Sequence, residues 1–135
     1  PGFSTDLQSP IMALLAVTPG VSHVHETVFE SRMKHAYELN TMGAQIKVEY
    51  DCAHITGVNK LVGTTVCAND IRAGAALVLA GLVAQGTTQI FGAHHLLRGY
   101  YALDKKIQSL GGYMEIVHAP SPVIFNGEKP VELFV

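Results

Sequence analysis

Residues 69–82 read NDIRAGAALVLAGL, an acidic residue followed by an almost unbroken apolar stretch rich in alanine and glycine. Asp70 stands where a helix N-cap belongs, because its carboxylate can accept hydrogen bonds from the first backbone N–H groups of a helix. The stretch continues to residue 84 and is apolar almost all round, which is typical of a helix enclosed by other elements. It is far shorter than the ~20 residues that cross a bilayer, so it predicts a core helix.

The same pattern occurs a second time, 64 residues earlier, and is opened by Asp6. In both copies an apolar run meets a glycine, a β-like run follows, and an amphipathic segment leads to a second β-like run. The matching runs are residues 11–16 and 75–82, residues 21–25 and 87–91, and residues 45–49 and 113–117. The offset drifts only from 64 to 68, so we interpret the chain as a duplicated unit.

Each copy predicts helix, strand, helix and strand, with further strands at residues 54–57 and 64–68 between the copies. The expected fold class is therefore α/β, built from two βαβαββ-like units that span about residues 1–63 and 64–117. Asp6 and Asp70 are both expected to cap helices. The second helices carry apolar side chains at helical spacing, at Met33, Tyr37 and Met42 in one copy and at Leu103, Ile107 and Leu110 in the other. Gly43 and Gly111 fit the position just after those helices.

Residues 118–135 break the repeat, and their role is open. Residues 123–125 and 131–135 flank an Asn-Gly pair, which predicts a hairpin.

Composition narrows the class of protein. The chain has 135 residues, enough for one domain, and 48% hydrophobic against 15% charged residues predicts a folded core. A net charge of −2 without a basic run argues against nucleic-acid or membrane-surface binding. No signal peptide is visible, and two cysteines outside any CxxC spacing favour a reducing, cytoplasmic location. No metal-ligand spacing or cofactor motif appears among the seven histidines and two cysteines, so we expect neither metal nor cofactor.

Three arginines, Arg32, Arg72 and Arg98, are candidates for binding phosphate or carboxylate, since a guanidinium can hold either with two hydrogen bonds. The alternative is a structural ion pair with an aspartate or glutamate. Asp6 and Asp70 are likewise either functional acids or helix caps. From the residues alone, the chain is an α/β repeat domain with one or two arginine-lined anion sites.

Four motifs carry a resemblance to a known family. They are PGFSTDLQ at residues 1–8, ETVFESRM at residues 26–33, residues 69–82, and HLLRGY at residues 95–100. In order and spacing, residues 1–117 resemble the enolpyruvyl transferases, most closely the branch that acts on UDP-N-acetylglucosamine in peptidoglycan precursor synthesis. The resemblance implies inside-out α/β domains of three pseudo-symmetric units, of which this chain matches the last two of the C-terminal domain.

The resemblance also implies roles for individual residues. Asp6 matches an aspartate that contacts the sugar 3-hydroxyl and transfers a proton, and Arg98 an arginine that closes on phosphoenolpyruvate. Both are the implied catalytic residues. Arg72 matches a position at the enolpyruvyl carboxylate, and Val28 one that contacts the UDP-sugar through its backbone. The implied substrate-binding positions are Asp6, Val28, Glu30, Arg32, Asp70, Arg72 and Arg98.

Several features depart from the family pattern. The nucleophilic cysteine, and a lysine and an asparagine that grip phosphoenolpyruvate, have no counterpart here, and neither Cys52 nor Cys67 stands at that position. His94 and Leu97 replace expected residues beside Arg98. The resemblance therefore implies an enzyme of cell-wall biogenesis, cell shape and cell division that needs the N-terminal part of the same polypeptide, with this chain inactive alone.

The alternatives are a non-catalytic module that binds a nucleotide sugar or a protein, and a shikimate-pathway enolpyruvyl transferase.

Overall fold

A computed structural model describes residues 2–118 and 131–135 of the chain. In those two ranges the α-helices are α1 (Gln8–Ala16), α2 (His35–Thr41), α3 (Ile71–Val83), α4 (His94–Gly99) and α5 (Leu103–Ser109). The strands are β1 (Val21–His25), β2 (Gln45–Glu49), β3 (Cys52–Thr56), β4 (Thr65–Cys67), β5 (Gln89–Phe91), β6 (Glu115–His118) and β7 (Val131–Phe134). A 3₁₀ turn, Thr5–Leu7, precedes α1. None of the helices in the described ranges is long and apolar enough to cross a membrane.

The strands form two sheets that repeat one arrangement. The first sheet has the order β1-β3-β2, with both pairs antiparallel. The second has the order β4-β5-β7-β6, in which β4 runs parallel to β5 and β7 is antiparallel to both of its neighbours. Strand β7 thus occupies in the second sheet the place that β3 occupies in the first. The α/β class is confirmed, and the second unit shows the full βαβαββ order.

The C-terminal segment contributes this last strand. Residues 123–125 and the Asn-Gly pair of the predicted hairpin lie outside the described residues. Leu133 of β7 is opposite Ile90 of β5 and Ile116 of β6, and its side chain is fully buried. Val135 and Thr88 exchange two backbone hydrogen bonds of 2.9 and 3.0 Å. The second sheet therefore includes residues from both sides of the repeat boundary at residue 117.

Helices α1 and α3 pack together at the centre of the molecule. Small side chains on α3 allow close contact, since Ala76 and Ala80 are fully buried, and the larger Leu77 is fully buried beside them. The other large, fully buried hydrophobic side chains of the core are Met12, Leu39, Met42, Ile55, Leu61, Ile90, Leu96, Met114 and Leu133.

The prediction that α3 is enclosed on every side is wrong. Leu79 is 46% exposed and Val83 is 56% exposed. With Leu7, Leu14 and Val17 they line an apolar groove between α1 and α3. The reason is that α1 covers one flank of α3 and, within the described ranges, nothing covers the flank beside it.

Two further predictions need correction. Asp6 does not cap α1, because it lies within the 3₁₀ turn and α1 begins at Gln8 without a side-chain cap. Tyr37 and Leu110, expected on buried helix faces, are 73% and 87% exposed. Met33 and Met42 lie outside α2, and Leu110 lies outside α5, so the predicted residues do not share one face of a continuous helix. Gly43 and Gly111 do follow these helices with positive φ angles of 94° and 86°, as predicted.

Candidate active site

The start of α3 holds the first element of the candidate site. Asp70 caps this helix: its Oδ1 accepts hydrogen bonds from the backbone N–H groups of Arg72 at 2.8 Å and Ala73 at 2.9 Å. The cap fixes Arg72 in the first turn, and its side chain extends toward the other repeat unit. For Asp70 the capping role is therefore confirmed.

Asp6 and Arg72 join the two units across 66 residues of sequence. Arg72 Nε donates to Asp6 Oδ1 at 2.6 Å, and Arg32 Nη1 lies 3.9 Å from the same oxygen. The Asp6 side chain is 66% exposed, whereas those of Arg72 and Arg32 are 32% and 14% exposed. One carboxylate is thus flanked by two guanidinium groups and still faces solvent, where a ligand can meet all three.

The loop after β1 is held by the buried carboxylate of Glu26. This residue opens the ETVFESRM motif, but the sequence predicted no role for it. Glu26 Oε2 accepts a 2.6 Å hydrogen bond from Thr5 Oγ1. Its Oε1 accepts from the backbone N–H of Val28 at 2.8 Å and, more weakly, of Phe29 at 3.4 Å. The sequence signal was a charged residue directly after a half-buried strand.

Arg32 is positioned from two sides. Its Nη1 donates to Thr5 Oγ1 at 2.6 Å, and its guanidinium lies 3.9 Å from the centre of the Phe29 ring. The preceding residue, Ser31, has a φ of 57°, a left-handed conformation that costs about 1 kcal/mol or more outside glycine. The chain therefore accepts backbone strain in the turn that directs Arg32 toward Asp6.

The electrostatics of Glu26 follow from these contacts. Burial alone would raise the pKa of its carboxyl, but hydrogen bonds from Thr5, Val28 and Phe29 and the charge of Arg32 together lower it below the ordinary 4.5. Glu26 is therefore a carboxylate at neutral pH, although it is only 5% exposed.

Arg98 lies in the last turn of α4 and is exposed. Helix α4 packs against α3, where Leu96 is next to Gly74. A Cβ added at Gly99 would collide with Ile71 Cδ1, so the end of α4 lies against the first residue of α3. The structure thus places the end of α4 that carries Arg98 beside the first turn of α3, which carries Arg72.

The remaining predicted positions lie in the loop after β1. Val28 is 57% exposed, and its backbone N–H donates to Glu26. Glu30 is exposed between Phe29 and Ser31. Within the described residues, no ion pair joins Glu30 to Arg32.

Other reactive side chains do not enlarge the site. Cys52 and Cys67 are free thiols, and burial followed by the charge of Glu38 raises the pKa of Cys67. A thiol of raised pKa is a poor nucleophile at neutral pH. In the part of the chain that the structure describes, no three His, Cys, Asp or Glu side chains are grouped to hold a metal ion.

Fold and site together define a class: a duplicated α/β domain that presents a carboxylate and arginines at one end, suited to an anion beside a hydroxyl. The family model of EPSP synthase (3-phosphoshikimate 1-carboxyvinyltransferase) matches residues 1–107. The chain belongs to this family, the enolpyruvyl transferases.

Two curated relatives are similar to this chain over most of its length. The chain is 53% identical over 121 residues to the UDP-N-acetylglucosamine 1-carboxyvinyltransferase of Gloeobacter violaceus, a match that covers 90% of this chain and 26% of the relative. It is 54% identical to UDP-N-acetylglucosamine 1-carboxyvinyltransferase 2 of Carboxydothermus hydrogenoformans, over 87% of this chain and 28% of that one. The chain thus spans about a quarter of the length of these relatives.

Solved structures agree with the fold. The enolpyruvyl transferase NikO from Streptomyces tendae superposes with a TM-score of 0.76 at 34% identity, covering 82% of this chain and 26% of NikO. An EPSP synthase from Acinetobacter baumannii has a TM-score of 0.64 at 20% identity, over 96% of this chain and 29% of that one, and supports the fold alone. The resemblance that the four sequence motifs indicated is confirmed.

Proposed function

We propose that this chain is the C-terminal part of an enzyme that transfers the enolpyruvyl group of phosphoenolpyruvate to the 3-hydroxyl of UDP-N-acetylglucosamine, the first committed step of peptidoglycan precursor synthesis. The observation that carries the proposal is the exposed Asp6 carboxylate flanked by Arg72 and Arg32. Relatives at 53–54% identity that are named for this activity support it.

In the proposed reaction Asp6 is the proton acceptor. The sugar hydroxyl oxygen adds to C2 of phosphoenolpyruvate while C3 takes up a proton, and the hydroxyl proton passes to the Asp6 carboxylate. A proton then leaves C3, the double bond between C2 and C3 forms again, and the bond from C2 to the phosphate oxygen breaks to release inorganic phosphate. A carboxylate within hydrogen-bond distance of an attacking hydroxyl can act as such a base. The Arg72 hydrogen bond to Oδ1 orients the carboxylate and leaves Oδ2 for the hydroxyl.

In the proposal, the positively charged arginines bind the anionic phosphoenolpyruvate. Arg72 holds the carboxylate of the donor, and Arg98 closes on phosphoenolpyruvate from the end of α4. Fixed guanidinium groups stabilise charge that shifts as the phosphate leaves. Val28, Glu30, Arg32 and Asp70 complete the substrate-binding set, with Val28 contacting the UDP-sugar through its backbone.

The partner of this domain in the proposal is the N-terminal part of the same enzyme, which supplies the nucleophilic cysteine and closes the cleft. Because this chain spans only about a quarter of the length of the relatives, we expect the chain alone to show no turnover. A cytoplasmic location and roles in cell-wall biogenesis, cell shape and division belong to the same proposal.

A chimera tests the proposal: this chain replaces the matching quarter of the Gloeobacter violaceus relative, and phosphate release from phosphoenolpyruvate is measured with UDP-N-acetylglucosamine. Asp6→Asn should lower kcat by about 10²–10⁴-fold. Asp104→Asn, the same change on α5, is the control and should leave kcat unchanged.

Each other outcome has a distinct meaning. Activity near the parent rate in Asp6→Asn removes Asp6 from the role of base. Phosphate release with shikimate 3-phosphate as the acceptor identifies the shikimate-pathway alternative. A folded chimera that binds UDP-N-acetylglucosamine without releasing phosphate favours the non-catalytic module.

A further inference from the structure

We infer that Glu26 is a positioning residue of the site, whose buried carboxylate sets both the backbone of Val28 and, through the Thr5 hydroxyl, the head of Arg32 beside Asp6. The inference rests on the proposed function, because it assigns Glu26 to the same UDP-sugar site. It goes beyond that function by identifying what holds the site in shape before substrate arrives.

The two carboxylate oxygens of Glu26 serve two different parts of the site. Oε1 accepts the Val28 N–H at 2.8 Å, which closes a tight turn directly after β1. Oε2 accepts the Thr5 hydroxyl at 2.6 Å, and the same hydroxyl oxygen accepts from Arg32 Nη1 at 2.6 Å. Glu26 therefore determines the direction in which the Thr5 hydroxyl points its lone pairs, and that direction places Arg32.

The backbone of Glu26 is anchored independently of its side chain. Its N–H donates to the Asp51 carbonyl at 2.9 Å, in the turn between β2 and β3. A change confined to the carboxylate should therefore leave β1 and the first sheet in place. This separation allows a positioning role to be distinguished from general support of the fold.

Burial makes the arrangement specific. Glu26 is 5% exposed, and a buried carboxylate is costly unless its oxygens are hydrogen-bonded. Each strong contact of the carboxylate leads to a predicted substrate position: directly to Val28, and through Thr5 to Arg32.

Glu26→Gln tests the inference, since glutamine keeps the shape but exchanges one acceptor oxygen for a donor. In the Gloeobacter chimera this variant should raise the KM for UDP-N-acetylglucosamine about tenfold or more with a smaller effect on kcat, because misplacing a binding group by a fraction of an ångström is enough to weaken it. Thr5→Val should raise the KM as well, whereas Thr5→Ser, which restores the hydroxyl, should return it to near the parent value.

A second readout does not depend on activity. In NMR spectra of this chain, Glu26→Gln should shift the Val28 amide, and both Glu26→Gln and Thr5→Val should shift the Arg32 side-chain N–H signal, with Thr5→Ser close to the parent. If the parent chimera releases no phosphate, the proposed function fails and these spectra alone decide the positioning role. An unchanged KM in Glu26→Gln, or unshifted Val28 and Arg32 signals, would overturn the inference; if Glu26→Gln does not fold, the Thr5 pair decides it.

Discussion

His35 is a buried imidazole directly beneath the site loop. It is 3% exposed, its Nδ1 lies 3.4 Å from Ser9 Oγ, and its Nε2 lies 3.3 Å from Met12 Sδ. Burial lowers the pKa of His35 to about 4, although the Arg32 backbone and the Asp70 charge act in the opposite direction. The folded protein therefore holds His35 neutral at pH 7, where it packs against α1.

This burial predicts a loss of stability in mild acid. In the unfolded chain His35 titrates near 6.5, so between pH 6.5 and 4 the unfolded state binds more protons than the folded state. The free energy of unfolding should be highest above pH 6.5 and should fall by about 3 kcal/mol as the pH drops from 6.5 to 4. Urea unfolding of this chain at a series of pH values measures the effect.

The matched variants are His35→Gln and His25→Gln. His35→Gln should flatten the pH dependence, whereas His25→Gln, at an exposed position on β1, should keep it. The same slope in His35→Gln as in the parent would mean that another group causes the acid sensitivity.

At the level of single residues, the sequence supports local roles better than partnerships. Asp70 as a helix cap could be predicted, because a cap depends on residues only two and three positions away. The pairing of Asp6 with Arg72 could not, since it arises only when α1 and α3 pack together. Glu26 was missed for the same reason: Thr5 lies 21 residues away along the chain.

At the level of elements, α3 ties stability to the site. Asp70→Ala removes two hydrogen bonds at its start and should lower the free energy of unfolding by about 1 kcal/mol. Asp70→Asn should keep most of that stability, because an amide oxygen also caps. Chemical denaturation of both variants measures the difference, and equal losses would contradict the capping role.

The Asn variant also separates the cap from a role for the charge. If the Asp70 carboxylate serves substrate binding as the family resemblance implies, Asp70→Asn in the Gloeobacter chimera should retain stability while its KM for either substrate rises. An unchanged KM would assign Asp70 to the helix alone.

Elements with a strong local pattern were the predictable ones. Strands β1 and β2 occur where the alternating runs predicted them, and the glycines after α2 and α5 end those helices. The outer face of α3 was not predictable, because an all-apolar sequence does not show which flank a neighbour will cover. Leu79 and Val83 face the groove beside α1 rather than the core.

At the level of the whole molecule, the duplication extends further than the sequence shows. Strand β7 has no recognisable sequence counterpart in the first unit, yet it occupies the place of β3. Strand order depends on pairing between distant segments, and β7 meets β5 more than 40 residues away in sequence. The repeat in sequence therefore predicted the units but not the strand that completes the second sheet.

If β7 is an integral strand of the second unit rather than an appendage, its central side chain should support the stability of the whole domain. The Leu133 side chain is fully buried in the core. Leu133→Ala should therefore lower the free energy of unfolding by about 3 kcal/mol, within the range for a leucine truncated in a packed core. Leu110→Ala makes the same chemical change at a side chain that is 87% exposed, and should alter stability by about 0.5 kcal/mol or less. Urea unfolding followed by circular dichroism compares the two. Similar small losses in both variants would show that β7 is not part of the cooperative core, because truncating a leucine costs more than truncating an exposed one only where the fold depends on its burial.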